Sequence, residues 1–386
     1  MHGCIPNIWH DLKAYRRFLK LDPKDREIVF YAEGETYWRY MGPVLERLAG
    51  DYGRDVCYIT SSPSDPRLNL SAPQFRSFLI RAGSIRTIFF AALNSKVLVM
   101  SMPGLGATYI RRSKYPVHYV FVPHAMVSTH MVFPKGSYDH FDTVFCVGPH
   151  HRAELEEAKV IYDRAAPELV DGGYVWLDTL MDEAAAGPVP GPQHQIMIAP
   201  TWGASSLLSH DIETLVHSLL EGGNRVVFRP HRDSLIDEKA AVDRVIQQFG
   251  NNPAFVHGAA AARPDIMLKT HVLVTDWSGS AFSFAFGFER PVLFVDTPPK
   301  INNVDFQRYA SVPVEISLRN EIGAVIGPDE LARASHVVED LMSRRAAIAE
   351  KIRRVRPRHV YRMGESADFT ARYINDLIAG MEPQDR

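Results

Sequence analysis

The chain has 386 residues, more than one compact core of ordinary size accommodates, so two domains of about 150 to 200 residues are expected. Its 46% hydrophobic and 23% charged residues are those of an ordinary soluble globular protein, and a formal net charge of −2 excludes the strongly basic balance of a nucleic-acid binder. Cys4, Cys57 and Cys146 show no CxxC spacing, which excludes a disulfide framework or zinc motif and points to a reducing compartment.

The first twenty residues mix His, Asp, Lys and Arg and do not read as a secretory signal, and no apolar run approaches the roughly 20 residues of a membrane helix. The expected location is the cytoplasm, at most peripheral on the inner face of the membrane. Strand-like apolar runs at 28–32, 56–60, 97–102, 118–123 and 143–147 alternate with helix-like stretches at 37–48 and 150–162, which predicts a parallel α/β sheet. At 184–192 Ala, Gly and Pro replace any periodicity and read as a linker. Strands then resume at 195–199, 225–229, 254–256, 271–275 and 291–295, with helices at 211–221 and 237–249 and closing helical stretches at 330–355 and 366–381. The expected division is an α/β domain at 1–186, a linker at 187–193, a second α/β domain at 194–350 and a helical tail at 351–386.

The unusual polar residues follow predicted strands. In open parallel sheets ligands bind beyond the carboxyl ends of the strands, so these residues predict one crevice between two sheets. The richest stretch is Thr275-Asp276-Trp277-Ser278-Gly279-Ser280 before an apolar helix. Unpaired amides at a helix start favour an anion, Ser278 and Ser280 add hydroxyls, and Gly279 admits close backbone approach, which describes a phosphate cradle. Plain capping by Asp276 or Ser278 explains part of the same cluster. Asp276 would itself repel a phosphate, so it is expected to cap the helix or orient a hydroxyl or nucleoside group. Arg229 and His231 flank Pro230, and a guanidinium with an imidazolium suits a diphosphate; an ion pair of Arg229 with Asp233 is the alternative.

His124 ends a strand beside Ser128, Thr129 and His130, where an imidazole with a pKa near 6.5 can take a proton from a hydroxyl; a histidine with a satisfied hydrogen bond is the structural alternative. No HExxH, Asp-x-Asp, complete GxGxxG or P-loop pattern occurs, so neither a metal nor a nucleotide cofactor is expected. The basic and aromatic segment at 109–115 fits a membrane-surface contact or a solvated loop.

Taken in order, Pro123-His124 with Ser128-Thr129-His130, the run at 141–148, Gly173-Tyr174 with Leu177-Asp178, Ala199-Pro200-Thr201-Trp202, Arg229-Pro230-His231, and Thr275 to Ser280 through Arg290-Pro291-Val292 resemble the CDP-glycerol glycerophosphotransferases of teichoic-acid and capsule synthesis. The resemblance spans residues 90–320 and implies a GT-B-like α/β fold, two Rossmann-like domains with parallel sheets facing a central cleft, followed by a helical C-terminal tail. It implies that His124 is the base, that His231 acts with Arg229 on the donor phosphates, and that Thr201, Asp276, Ser278, Gly279 and Ser280 complete the CDP-donor site at 194–350. Ser128, Thr129 and His130 would lie on the acceptor side in 1–186. The implied partners are a CDP-activated polyol and an envelope glycan or lipid-linked acceptor, to which glycerol phosphate or a related polyol phosphate is moved with release of CMP. No cofactor, metal or nucleic acid is implied. Ala125 stands where the family often has glycine, and Arg232 where it often has proline. Two other readings use the same residues: a GT-B glycosyltransferase with a nucleotide sugar, and a non-catalytic nucleotide-binding partner in envelope assembly.

Overall fold

In a computed structural model the chain is described over residues 4–106, 110–187, 191, 194–258 and 265–381, with side chains from residue 8 onward. Linker positions 188–190 and 192–193, and Tyr109 of the basic segment, lie outside these residues. The first half forms seven strands: β1 (Ile28–Ala32), β2 (Val56–Thr60), β3 (Phe75–Leu79), β4 (Val97–Met100), β5 (His118–Phe121), β6 (Thr143–Cys146) and β7 (Glu168–Asp171). All pair in parallel, in the order β3-β2-β1-β4-β5-β6-β7. Strands covered on both faces must be apolar throughout, and every residue of β1 is buried. The side chains alternate between faces: Val29 and Tyr31 join a core layer with Phe89, Phe90 and Phe121, whereas Ile28 and Phe30 pack with Val44, Leu48 and Ile374.

The second half forms β8 (Gln195–Ile198), β9 (Arg225–Phe228), β10 (Phe255–Val256), β11 (Val272–Thr275), β12 (Val292–Val295) and β13 (Gly323–Ile326). These too are parallel, ordered β10-β9-β8-β11-β12-β13. Each sheet therefore reverses its strand order once, between β1 and β4 in the first and between β8 and β11 in the second. Such reversal points open a crevice at the carboxyl ends of the strands, because the connections on either side lead to opposite faces.

The chain packs as two compact units, one from residues 1–124, 133–176 and 360–386, the other from 125–132 and 177–359. Residues 125–132 thus belong with the second sheet although they follow β5. The helices Ala334–Ser343 and Arg345–Val355 lie in the second unit, while Ser366–Gly380 returns to the first. Ile374 and Ile378 of that last helix are fully buried, and its Tyr373 hydroxyl donates to Glu168 at 2.7 Å. The alanines at 184–186, expected in the linker, continue the helix Val175–Ala186, as their high helix propensity favours.

Sequence reading omits β3, β7 and β13. All three are edge strands, less completely buried than the central ones: β3 and β7 carry polar residues, and β13, Gly-Ala-Val-Ile, is short and only half-buried. At the start of β13 a Cβ on Gly323 would lie 1.7 Å from the Val292 carbonyl oxygen of β12, so only glycine permits this pairing distance. Gly323→Ala should lower unfolding free energy by roughly 2 to 4 kcal/mol, read from urea denaturation, because backbone and not a side-chain tip must move.

Candidate functional site

The centre of the second unit is a buried carboxylate at the reversal point of its sheet. Asp276, the first residue after β11, is 1% exposed. It accepts from the backbone N–H of Thr201 at 2.7 Å, of Leu207 at 2.8 Å and of Trp277 at 2.7 Å. Desolvation pushes its pKa up and the amides oppose that shift. Asp276 thus fastens the loop that follows β8 to the turn that follows β11. It neither caps the following helix nor presents a free carboxylate, which corrects both expectations: the helix Ser280–Phe288 has Gly279 at its N-cap position with no side-chain cap. Thr201 is itself buried and has its amide committed to Asp276, so it shapes the site from beneath. Glu238 continues the same fastening, accepting from the Gly203 amide at 3.1 Å, from the Ser206 hydroxyl and from the Ser234 hydroxyl at 2.7 Å.

The turn over Asp276 keeps Ser278, Gly279 and Ser280 partly exposed. The Ser278 and Ser280 hydroxyls lie 2.8 Å apart, and the Ser280 amide donates to Ser278 Oγ at 3.3 Å. Trp277 is locked below them: its Nε1 donates to the Thr297 carbonyl at 2.7 Å, and the buried Arg319 guanidinium lies 3.6 Å from its ring centroid while pairing with Asp296 at 2.7 Å. Arg319 and Glu238 were invisible to sequence reading, since each lies far along the chain from any motif.

Gly279 is a glycine for packing. A Cβ there would meet Val127 Cγ1 at 2.7 Å, so segment 125–132 closes onto the helix start. The same segment is anchored by Glu315, whose Oε1 accepts from the Ser128 amide at 2.8 Å, by Asn303 Nδ2, which donates to the His130 carbonyl at 2.9 Å, and by stacking of His130 on Tyr309 at 4.7 Å. Ser128, Thr129 and His130 are 0%, 7% and 2% exposed. They were expected in the N-terminal domain facing the acceptor; the structure buries them within the second unit, held there by hydrogen bonds from distant loops.

Arg229, the first residue after β9, is half-buried, and His231, beyond Pro230, is exposed and stacked on Trp202 with ring centroids 6.0 Å apart. The Asp233 amide donates to His231 Nδ1 at 3.2 Å, which leaves Nε2–H as the free donor. Desolvation pushes the His231 pKa down, with the Asp233 carboxylate opposing. The imidazolium expected from sequence is therefore mainly a neutral donor at pH 7. Asp233 sits 3.6 Å from His231 Nδ1, and Arg232 is exposed.

In the first unit His124 stands just beyond β5 within an aromatic cage. Its ring centroid lies 5.7 Å from Phe133, 6.0 Å from Tyr37, 6.1 Å from Tyr40 and 6.4 Å from Phe121. The Tyr174 hydroxyl donates to its carbonyl at 2.9 Å. Burial pushes the imidazole pKa down to about 4, partly opposed by a hydrogen bond with the Ser101 backbone. Tyr37 follows β1 and Ser101 follows β4, so the cage occupies the reversal point of the first sheet. Nδ1 is buried without a hydrogen-bond partner among the described residues, so the neutral ring keeps an acceptor available. In the basic segment, Arg112 pairs with Asp142 at 2.9 Å and stacks on Tyr119, a structural use of that cation. No helix among the described residues is long and apolar enough to cross a membrane, and among them no group of three or more His, Cys, Asp or Glu could hold a metal ion.

Two parallel sheets with single order reversals and a helical C-terminal region define a GT-B-like α/β protein. Residues 14–300 match the family described as CDP-Glycerol:Poly(glycerophosphate) glycerophosphotransferase, and the chain belongs to that family, whose members are glycerophosphotransferases. Among solved structures it is similar to the wall teichoic acid polymerase TagF, with 13% identity, a TM-score of 0.58 and coverage of 97% of this chain and 96% of that one. It is also similar to a UDP-GlcNAc 2-epimerase from Methanocaldococcus jannaschii (11% identity, TM-score 0.53, coverage 90% and 99%). A third is WaaG, a glycosyltransferase of lipopolysaccharide biosynthesis (12% identity, TM-score 0.50, coverage 90% and 99%). At these identities the likeness carries the fold. No curated protein sequence matches the chain.

Two measurements check this geometry. Gly279→Ala should cost about 1 to 3 kcal/mol, because β-branched Val127 has little rotamer freedom to retreat, and Val127→Ala should recover much of that cost in a double-mutant cycle. For His124, a folded pKa of about 4 against an ordinary value of 6.5 means the unfolded chain binds the extra proton between those values. Its contribution is intact above pH 6.5 and is lost as pH falls toward 4. The stability difference between wild type and His124→Phe should therefore fall by roughly 3 kcal/mol across that window; a flat difference in urea melts contradicts the burial of a neutral ring.

Proposed function

We propose that this glycerophosphotransferase moves glycerol phosphate, or a related polyol phosphate, from CDP-glycerol to a hydroxyl of an envelope glycan or lipid-linked acceptor, releasing CMP. The acceptor oxygen attacks the glycerol-bearing phosphorus, a new P–O bond forms, the bridging P–O bond breaks and its electron pair leaves with CMP. The acceptor proton passes to the neutral imidazole of His124. Arg229 and the His231 Nε2–H stabilise charge on the diphosphate as the leaving group departs, while Ser278, Ser280 and the helix start at Gly279 hold its oxygens. Protein cations and amide donors take the charge-neutralising part, so the step is written without a metal ion. Thr201 and Asp276 hold the donor loop in shape, and Ser128, Thr129 and His130 set the segment that follows the base.

The observation that carries this reading is the carboxylate-fastened turn at the order reversal of the second sheet, within a chain of this family. The His124 imidazole is neutral at pH 7 and so has a lone pair for the acceptor proton, although a pKa of about 4 makes it a weaker base than an ordinary histidine. The location that fits such a donor is the cytoplasm, where CDP-activated polyols are encountered by an enzyme whose acceptor belongs to the envelope.

The test is nucleotide release from CDP-glycerol, CDP-ribitol and UDP-sugars, with a membrane fraction supplying the acceptor. CMP release is expected; release of UDP alone contradicts the proposal in favour of glycosyl transfer, and binding without release contradicts catalysis. His124→Ala should lower kcat by about 100-fold or more with donor Kd nearly unchanged, whereas Arg229→Ala should raise donor Kd about tenfold or more. Equal loss of donor affinity in both variants contradicts the division of roles.

A further inference from the structure

The neutral state of His231 leaves the donor site short of positive charge. A nucleoside diphosphate ester carries two negative charges at pH 7, Asp276 adds a third nearby, and of the pair expected from sequence only Arg229 is permanently cationic. Lys300 is a further cation at this end of the sheet, in addition to the exposed Arg232 and the buried, Asp296-paired Arg319. Lys300 is five residues beyond β12, half-buried, with Nζ 3.6 Å from the Trp202 ring centroid and donating to the Trp202 carbonyl at 3.0 Å. It forms no salt bridge among the described residues, and two of its three donors stay uncommitted.

Strand order gives this contact its meaning. β8 and β12 flank β11 on either side, and Trp202 follows β8 while Lys300 follows β12. Their contact therefore spans the carboxyl end of β11, where the Asp276 to Ser280 turn stands. Trp202 also stacks on His231, so the indole contacts both the ammonium and the imidazole and links groups that follow three different strands. Burial depresses the Lys300 pKa, while the Asp276, Asp233 and Glu238 carboxylates oppose the shift; in such a partly desolvated place an anion gains more from an ammonium than it would in water.

We propose that Lys300 is a further donor-binding residue, its ammonium held by Trp202 over the Asp276 to Ser280 turn to meet the diphosphate of the nucleotide donor. This rests on the reading of the second unit as a donor site but not on the identity of the donor. Trp202 is a positioning residue: it directs the ammonium and steadies His231.

Titration calorimetry of CDP-glycerol, a UDP-sugar, CMP and cytidine into wild type, Lys300→Gln, Lys300→Arg and Trp202→Ala, at several salt concentrations, tests it. Lys300→Gln is expected to raise the Kd for CDP-glycerol about tenfold or more and flatten its salt dependence, with cytidine binding and thermal midpoint unchanged; Lys300→Arg should retain most of the affinity. Trp202→Ala should give a smaller loss with the same phosphate dependence. Unchanged CDP-glycerol affinity in Lys300→Gln, or equal weakening toward cytidine, overturns the assignment. Wild type preferring a UDP-sugar, with Lys300→Gln weakening that ligand, overturns the CDP-glycerol reading and leaves Lys300 in place. Binding of no nucleoside diphosphate by wild type overturns both.

Discussion

One carboxylate organises the second unit. Asp276 is withdrawn from water and compensated by three backbone amides that come from two loops separated by more than sixty residues of chain. Removing an acceptor from that position leaves several buried N–H groups unpaired at once, a far larger penalty than loss of one surface contact. The loops after β8 and β11 emerge on either side of the order reversal, and Asp276 ties them together beyond the last paired residues of the two strands. Trp277, Ser278, Gly279 and Ser280 inherit their placement from it, and so, through Trp202, does the row of polar groups beside them.

The first unit solves a related problem by opposite means. At its own order reversal the chain places His124 among Tyr37, Tyr40, Phe121 and Phe133, where apolar walls and not hydrogen bonds set the state of the ring. A carboxylate beside this histidine would have raised its proton affinity; rings lower it. The second unit thus ties its reversal point together with a carboxylate, whereas the first surrounds a histidine with rings.

How far the sequence could be read follows from burial. The central strands β1, β2, β4, β8, β9, β11 and β12 are covered on both faces and announce themselves as apolar runs, so the α/β class and both sheets were legible. Edge strands β3 and β7 carry polar residues and lose that signature, and β13 opens with Gly and Ala, which mark a strand only weakly. The placement of His124, Arg229, His231 and Ser278 to Ser280 just beyond strand ends was legible, because the apolar run of each strand stops shortly before them. Roles that depend on long-range partners were not. Nothing local to Thr201 or Asp276 says that they bond to each other, nothing near Gly279 names Val127, and the protonation of His231 depends on its stacked neighbour and surrounding mass. Ser128, Thr129 and His130 look like a polar loop until Glu315, Asn303 and Tyr309 are seen to hold them inside.

The interlaced path of the chain means that its halves are not separable modules. A gene divided in the glycine- and proline-rich stretch would deliver a first fragment lacking Ser366–Gly380, the helix that covers the Trp38–Gly50 side of its sheet, and a second lacking residues 125–132, the strap on which Gly279 and the loop around Asn303 close. Neither fragment would have its own surface finished.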